Sequence, residues 1–198
     1  MAFQNIVFPA LKLIHDFKKQ ALLPVSVVGN GAAEYRVARM RWEKFTWTYP
    51  ARAILSTDKL TLYQFYKQTS GALDSFKFVD PDYPAWKGDQ LSFNSSTYWN
   101  FCLPYSGNHP LFNYDSAMVV KKNGAVTSYS FSIVNGFPVL SIPGSVSTDV
   151  ITVASGTIYL TARFDSAMSW SLAALNSDNT PYVVNLDNLM LIEVFEHA

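Results

Sequence analysis

Residues that could bind a metal or act as nucleophiles are few and widely spaced in this sequence. The three histidines, His15, His109 and His197, show neither an HxH nor an HExxH spacing, so they predict no histidine metal site. Cys102 is the only cysteine, which excludes an intramolecular disulfide, a cysteine zinc cluster and a CxxC redox centre. Cys102 and His109 could in principle form a thiolate–base pair, but we favour a buried or half-buried structural cysteine. The sequence therefore predicts no catalytic residue, no metal and no cofactor.

A group of carboxylates in the segment DPDYPAWKGD is a second candidate for chemistry. Asp80, Asp82 and Asp89 lie within ten positions of one another. Carboxylates so placed could hold a hard cation, or Asp80 and Asp89 could form the acid/base pair of a cell-wall hydrolase. Their spacing is not that of a calcium loop, and Pro81 indicates a capped turn. We therefore favour a structural turn over a metal site, and a metal site over catalysis.

A loop rich in aromatic and polar residues, from Ala85 to Asn113, is the most distinctive feature of the sequence. Its rings could pack against a sheet or contact a neighbouring subunit, and these two interpretations rank equally. Stacking on sugar rings ranks third. The candidate interface or glycan contacts are Trp86, Tyr98, Trp99 and Tyr105.

Four basic residues lie within the alternating segment from Glu34 to Tyr49, on the face opposite its apolar residues. Two acidic residues interrupt it, so we favour a solvated or interface face over phosphate contact. In a ring, such a face could line the lumen. Its members are Arg36, Arg39, Arg41 and Lys44.

Composition excludes several classes of protein. Hydrophobic residues make up 49% of the 198 residues and charged residues 15%, which excludes a disordered chain. The formal net charge is zero, which removes the electrostatic case for general nucleic-acid or anionic-membrane binding. No apolar run reaches the length of about 20 residues that spans a membrane, and no early basic region indicates a signal peptide. We expect synthesis in a cytoplasm.

Periodicity predicts an all-β fold with one short α-helix. The helix is expected over 57–70, capped by Ser56 or Thr57 and ended by Gly71. The segment 34–49 is predicted to be one long bulged strand or a tight strand pair. Asn123-Gly124 predicts a hairpin turn, and 85–113 is predicted to be a long loop or a loosely structured insertion. Further strands are predicted at 75–79, 139–142, 150–153, 157–164 and 189–195.

Motifs in a fixed order along nearly the whole chain carry a family resemblance. Phe8-Pro9 precedes the segment AEYRVARMRW, and the helix pattern Leu62, Phe65-Tyr66, Gly71 leads into FKFVDPDY. Gly88-Asp89, the Asn-Gly hairpin, ARFD and the closing LMLIEVFE follow in turn. This set resembles the distal tail protein family of long-tailed phages and gene transfer agents.

The resemblance implies a structural virion protein and not an enzyme. It implies a homohexameric ring at the tail tip that connects the tail tube to the hub or baseplate, after synthesis in the host cytoplasm. The implied partners are other copies of the chain, the tail tube protein, hub or baseplate proteins and the tape measure protein. DNA would pass through the lumen only in transit, and no membrane insertion is implied. The implied fold is a tail-tube-like β-barrel or sandwich with an inserted or appended β-rich domain.

Two domains follow from this interpretation. Residues 1–84 plus 157–198 are expected to form the ring-forming β-barrel domain, which includes the helix. Residues 85–156 are expected to form an inserted β-rich domain that carries the aromatic loop. The alternative function is a carbohydrate-binding module of a phage tail, which would recognise a receptor or cell wall through an exposed platform of the aromatic residues from Tyr83 to Tyr114, with Trp86 and Trp99 as the residues to test.

Overall fold

A computed structural model describes residues 2–9, 17–22, 25–29, 34–38, 42–106, 109–175, 181–187 and 189–195. This part of the chain is mostly β-strand with one α-helix, which confirms the predicted class. The elements are β1 (Phe3–Val7), β2 (Lys18–Leu22), β3 (Val25–Gly29), β4 (Glu34–Ala38), β5 (Lys44–Tyr49), β6 (Arg52–Leu55), α1 (Ser56–Gln68), β7 (Ser75–Val79), β8 (Asp89–Gln90), β9 (Phe93–Ser95), β10 (Tyr98–Asn100), β11 (Val119–Lys122), β12 (Ala125–Val126), β13 (Ser130–Val134), β14 (Phe137–Ser141), β15 (Ile151–Ser155), β16 (Tyr159–Phe164), β17 (Trp170–Leu175), β18 (Pro181–Leu186) and β19 (Leu189–Glu193).

The chain divides into two compact units. Unit 1 combines Met1–Phe78 with Thr161–Glu196, and unit 2 is Val79–Leu160. The boundaries in the structure therefore fall at 78/79 and 160/161, where the sequence places them at 84/85 and 156/157. Unit 1 is built from both ends of the chain, and unit 2 from the segment between them.

Unit 1 contains three sheets. The largest has the order β1-β7-β16-β19-β5-β2, and the others are β17-β18-β6 and the pair β3-β4. The C-terminal strand β19 lies between β16 and β5 and runs antiparallel to both, so the two ends of the chain share one sheet. In the part of the chain that the structure describes, the first and last strands of the six- and three-stranded sheets do not pair with each other, so each of these sheets has two edge strands. The barrel that the resemblance implies is therefore not confirmed.

The segment 34–49 forms two strands that belong to different sheets. β4 pairs with β3, whereas β5 lies between β19 and β2. The prediction of one long strand or a tight strand pair is therefore wrong. The apolar residues change parity after Val37 and again after Trp42, and a change of parity in one continuous strand would turn its apolar face to the other side of the sheet.

The helix α1 forms where the sequence predicts it, but its N-terminus differs from the expectation. Leu55 is the N-cap, and no side chain caps the helix. Strand β6 runs directly into α1, so no loop residue is left for a capping serine or threonine. At the other end, Ser70 and Gly71 adopt positive φ and donate to the carbonyls of Lys67 and Tyr66, a Schellman motif. No helix in the described part of the chain is long and apolar enough to cross a membrane.

Four phenylalanine rings, three from α1, β7 and β16 and one from Phe8 just after β1, form the core of unit 1. Phe65 of α1 lies 4.9 Å from Phe76 of β7 between ring centroids, and Phe164 of β16 lies 5.2 Å from Phe76. Phe8 completes the cluster, at 5.5 Å from Phe65. The four side chains are buried, and edge-to-face and tilted contacts of this kind add to the free energy gained from apolar burial.

Unit 2 contains two four-stranded sheets, β13-β14-β10-β9 and β12-β11-β15-β8. The predicted long loop at 85–113 includes the three short strands β8, β9 and β10, so the prediction is wrong there. The Asn123-Gly124 turn is confirmed: both residues have positive φ, and Lys122 lies opposite Ala125. Asn135-Gly136 forms a second turn of the same kind between β13 and β14, from the same sequence signal.

Candidate functional site

Two of the four aromatic site candidates are core residues of unit 2. The side chain of Trp86 is 4% exposed and stacks on Phe101, with ring centroids 5.5 Å apart. Trp99 is 2% exposed, and its indole Nε1 donates to the Ser145 hydroxyl at 3.0 Å. Neither ring face is open to a glycan or a second subunit, so an exposed tryptophan platform is not present. Large apolar surfaces are buried when strands can cover them, and β10 brings Trp99 opposite Leu140 of β14.

The two tyrosine candidates are more accessible. Tyr98 is half-buried in β10, opposite Ser95 and Ser141. Tyr105 is 48% exposed, and its ring lies 5.5 Å from that of Tyr83. The structure therefore leaves Tyr105 as the exposed member of the four candidates.

Two of the three aspartates of the segment 80–89 accept hydrogen bonds from tyrosines. Buried Asp80 accepts from the Tyr105 hydroxyl at 2.8 Å and from the backbone N–H of Asp82 at 3.1 Å, which is the predicted capped turn. Asp89 accepts from the Tyr83 hydroxyl at 2.8 Å. Burial and the Asp89 carboxylate raise the pKa of Tyr83. These contacts assign the two carboxylates a structural use: Asp80 joins the start of unit 2 to the loop that carries Tyr105, and Asp89 holds Tyr83 within the segment itself.

Of the predicted basic face, only the Lys44 side chain is described. It is half-buried, and its Nζ lies 5.5 Å from the centroid of the Phe195 ring. Arg36 lies in β4, while Arg39 and Arg41 lie outside the described residues.

The metal-ligating residue types do not converge in the part of the chain that the structure describes. No three histidine, cysteine, aspartate or glutamate side chains there lie close enough to hold a metal ion. His109 is buried, and its carbonyl accepts from the backbone N–H of Leu103 at 2.9 Å. His15 and His197 lie outside the described residues.

Cys102 is the buried cysteine that the sequence predicts. Burial raises the pKa of its thiol to about 12. Because the thiolate is the reactive form, the native protein at pH 8 should react with Ellman's reagent on the order of 10³-fold more slowly than the unfolded chain, whose thiol pKa is about 8.5. The absorbance of the released product, followed with and without guanidinium, measures both rates. Equal rates in the two conditions would contradict this prediction.

Unit 2 contains a small pocket beside Trp86 that no sequence motif marks. Its volume is about 100 Å³. The lining residues include the buried Trp86, Leu91 and Leu103 and the more exposed Gln90 and Ser92. The remaining lining residues are Asn100, Cys102 and Pro104.

Unit 1 presents an exposed apolar strand. The strand β17 has the sequence WSLAAL, and its residues 171–175 are all exposed, Leu172 at 56% and Leu175 at 47%. Among the described strands, β17 pairs with β18 alone, so its outer edge is open. We call residues 171–175 the β17 edge. The sequence predicts no strand at these residues, because their apolar and polar residues do not alternate clearly.

Neither a protein-family model nor a curated protein matches this chain.

Proposed function

We propose that this protein is a structural subunit of a phage tail tip, a distal tail ring that joins the tail tube to the hub or baseplate. The ordered motifs from Phe8-Pro9 to LMLIEVFE support the proposal, because they span both units of the chain. The all-β fold with one helix supports it as well, since the resemblance implies that class. The ring would contain six copies, with the tape measure protein and DNA passing through its lumen.

The β17 edge is the observation that carries the proposal. An open strand edge is a template for another chain, and proteins that stay monomeric guard such edges with charged residues or prolines. The edge strand β2 of the same unit is guarded in this way, because it carries Lys18 and Lys19. The β17 edge has no charged residue and exposes two leucines. A ring of identical copies would cover one such edge on every subunit.

The charge balance is compatible with a lumen through which DNA slides. Tight binding of DNA comes mainly from lysine and arginine contacts to phosphate, each of which releases counterions. A chain with 15 basic and 15 acidic residues has no excess of such groups. Transit without retention is what a tail-tip ring requires.

Size-exclusion chromatography with light scattering on the purified protein tests this function. We expect a discrete hexamer, or a monomer that becomes a ring when a tail tube or hub protein is added. A monomer that is indifferent to every such partner would contradict the proposal.

A further inference from the structure

Two Asn-Gly turns of unit 2 share one backbone conformation. Asn123-Gly124 joins β11 to β12, and Asn135-Gly136 joins β13 to β14. The φ angles of the two asparagines are 51° and 52°, and those of the two glycines are 86° and 75°. A difference in chemical behaviour between the two asparagines therefore has to come from the contacts of their side chains.

The side chain of Asn123 is held at both ends. Its amide nitrogen donates to an Asp149 carboxylate oxygen at 2.7 Å, and its amide oxygen accepts from the backbone N–H of Val150 at 2.8 Å. Asp149 is itself fixed by an ion pair with Lys122, with 3.1 Å between Nζ and Oδ2. The Asn123 side chain can therefore turn towards its own backbone only after two hydrogen bonds break.

The side chain of Asn135 has no such contacts. Asn135 and Gly136 are both exposed. Within the residues that the structure describes, no hydrogen bond joins the Asn135 side chain to another group. Glycine at the next position has no side chain to obstruct an approach to its backbone nitrogen. The side-chain amide carbon of Asn135 can therefore approach that nitrogen with no side-chain hydrogen bond to break.

We propose that Asn135 is a site of spontaneous deamidation and that Asn123 is protected from it. The Gly136 backbone nitrogen loses its proton and attacks the side-chain carbonyl carbon of Asn135. The new carbon–nitrogen bond closes a five-membered succinimide ring, and the side-chain nitrogen takes up a proton and leaves as ammonia. Water then opens the ring at either of its carbonyl groups. The products are aspartate and isoaspartate, and no atom is oxidised or reduced.

The two products differ in how they fit the turn. Aspartate followed by glycine favours the same turn type as asparagine followed by glycine. Isoaspartate adds one carbon to the main chain, and the length of a hairpin turn fixes the register of its strands. This product therefore disturbs the pairing of Val134 with Phe137, where the turn joins β13 to β14.

Rates of deamidation in the folded and the unfolded chain test the proposal. The full chain is incubated in mildly alkaline buffer with and without guanidinium, and mass spectrometry of chymotryptic peptides measures the acid formed at each asparagine. Cleavage after Tyr129 and Phe131 separates Asn123 from Asn135, and the third Asn-Gly pair of the sequence, Asn30-Gly31, lies on another peptide and outside the described residues.

In the folded chain we expect Asn135 to react on the order of tenfold or more faster than Asn123, because two hydrogen bonds of Asn123 must break first. In guanidinium we expect similar rates, since both turns are lost. Equal rates in the folded chain, or a faster reaction at Asn123, would overturn the proposal. So would an Asn135 that keeps its amide in the folded chain while the unfolded chain reacts.

Asp149→Ala tests the cause of the protection. It removes the acceptor of the Asn123 amide nitrogen, so we expect the rate at Asn123 to rise by about 2- to 10-fold and the rate at Asn135 to stay unchanged. The control Asp82→Ala removes an exposed carboxylate elsewhere in unit 2 and should alter neither rate. An Asn123 that stays as protected in Asp149→Ala as in the wild type would contradict the assigned cause.

The proposal does not depend on the folding of any variant. If Asp149→Ala unfolds unit 2, the two asparagines react alike in it, and the comparison of Asn123 with Asn135 in the wild-type chain still decides the outcome. Both turns lie in unit 2, so the result is also separate from the assembly of the copies into a ring.

Discussion

Substitution of Phe164 by alanine should lower the free energy of unfolding of unit 1 by more than a substitution at any exposed residue of the chain. Phe164 is fully buried, and its ring meets the rings of Phe8, Phe65, Tyr66 and Phe76 at centroid distances of 6.3, 6.2, 5.0 and 5.2 Å. Truncation removes the apolar contact and leaves a cavity that rigid β-strands close only in part. We expect a loss of about 3–5 kcal/mol in the free energy of unfolding. Urea denaturation followed by circular dichroism measures this loss.

Phe93→Ala is the matched control for this prediction. Phe93 lies in the edge strand β9 and is 37% exposed, so its removal opens no enclosed cavity. It does lose an edge contact with Trp99 at 5.3 Å. We expect a cost of about 1 kcal/mol or less. If the two variants lose equal stability, the phenylalanine cluster is not the core of unit 1.

Charging the β17 edge should prevent assembly. In the double variant Leu172→Lys, Leu175→Lys, two exposed leucines that the proposed ring would bury become lysines. Complete burial of a fully exposed leucine side chain contributes about 1.5–3 kcal/mol, and about half of each of these leucines is exposed in the subunit, so the two together account for about 1.5–3 kcal/mol of association free energy. That corresponds to a weakening of about 10- to 10²-fold. Light scattering across a concentration series, with the tail tube or hub partner where the wild type needs one, measures the shift from ring to monomer.

The control for the edge variant is Val126→Lys. Val126 is an exposed apolar residue of the short strand β12 in unit 2, so the substitution has the same chemistry at a place outside the β17 edge. We expect it to assemble as the wild type does. Circular dichroism of the double variant should match that of the wild type, because both leucines are exposed in the subunit. A folded double variant that still forms rings would exclude the β17 edge as the subunit contact.

Local signals in the sequence determined the class of the fold and many of its elements. The strand at 75–79 is predicted with its observed bounds because alternation and the following prolines define it within a few residues. The Asn123-Gly124 turn and the stop of the helix near Gly71 likewise depend on backbone conformations that a few residue types favour. Such signals act over short distances, so the sequence alone was sufficient for them.

Only the tertiary structure decided which candidates belong together and which are buried. Trp86 stands between Pro84 and Lys87, and Trp99 follows two serines and precedes Asn100. Such polar and turn-forming neighbours are the same for an exposed platform as for a core. Their burial follows from pairings such as β10 with β14, about 40 positions apart. The Asp80–Tyr105 contact joins residues 25 positions apart, and the β17 edge exists only because one side of β17 has no neighbour among the described strands. Side-chain exposure depends on long-range strand order, which no local pattern in this chain encodes.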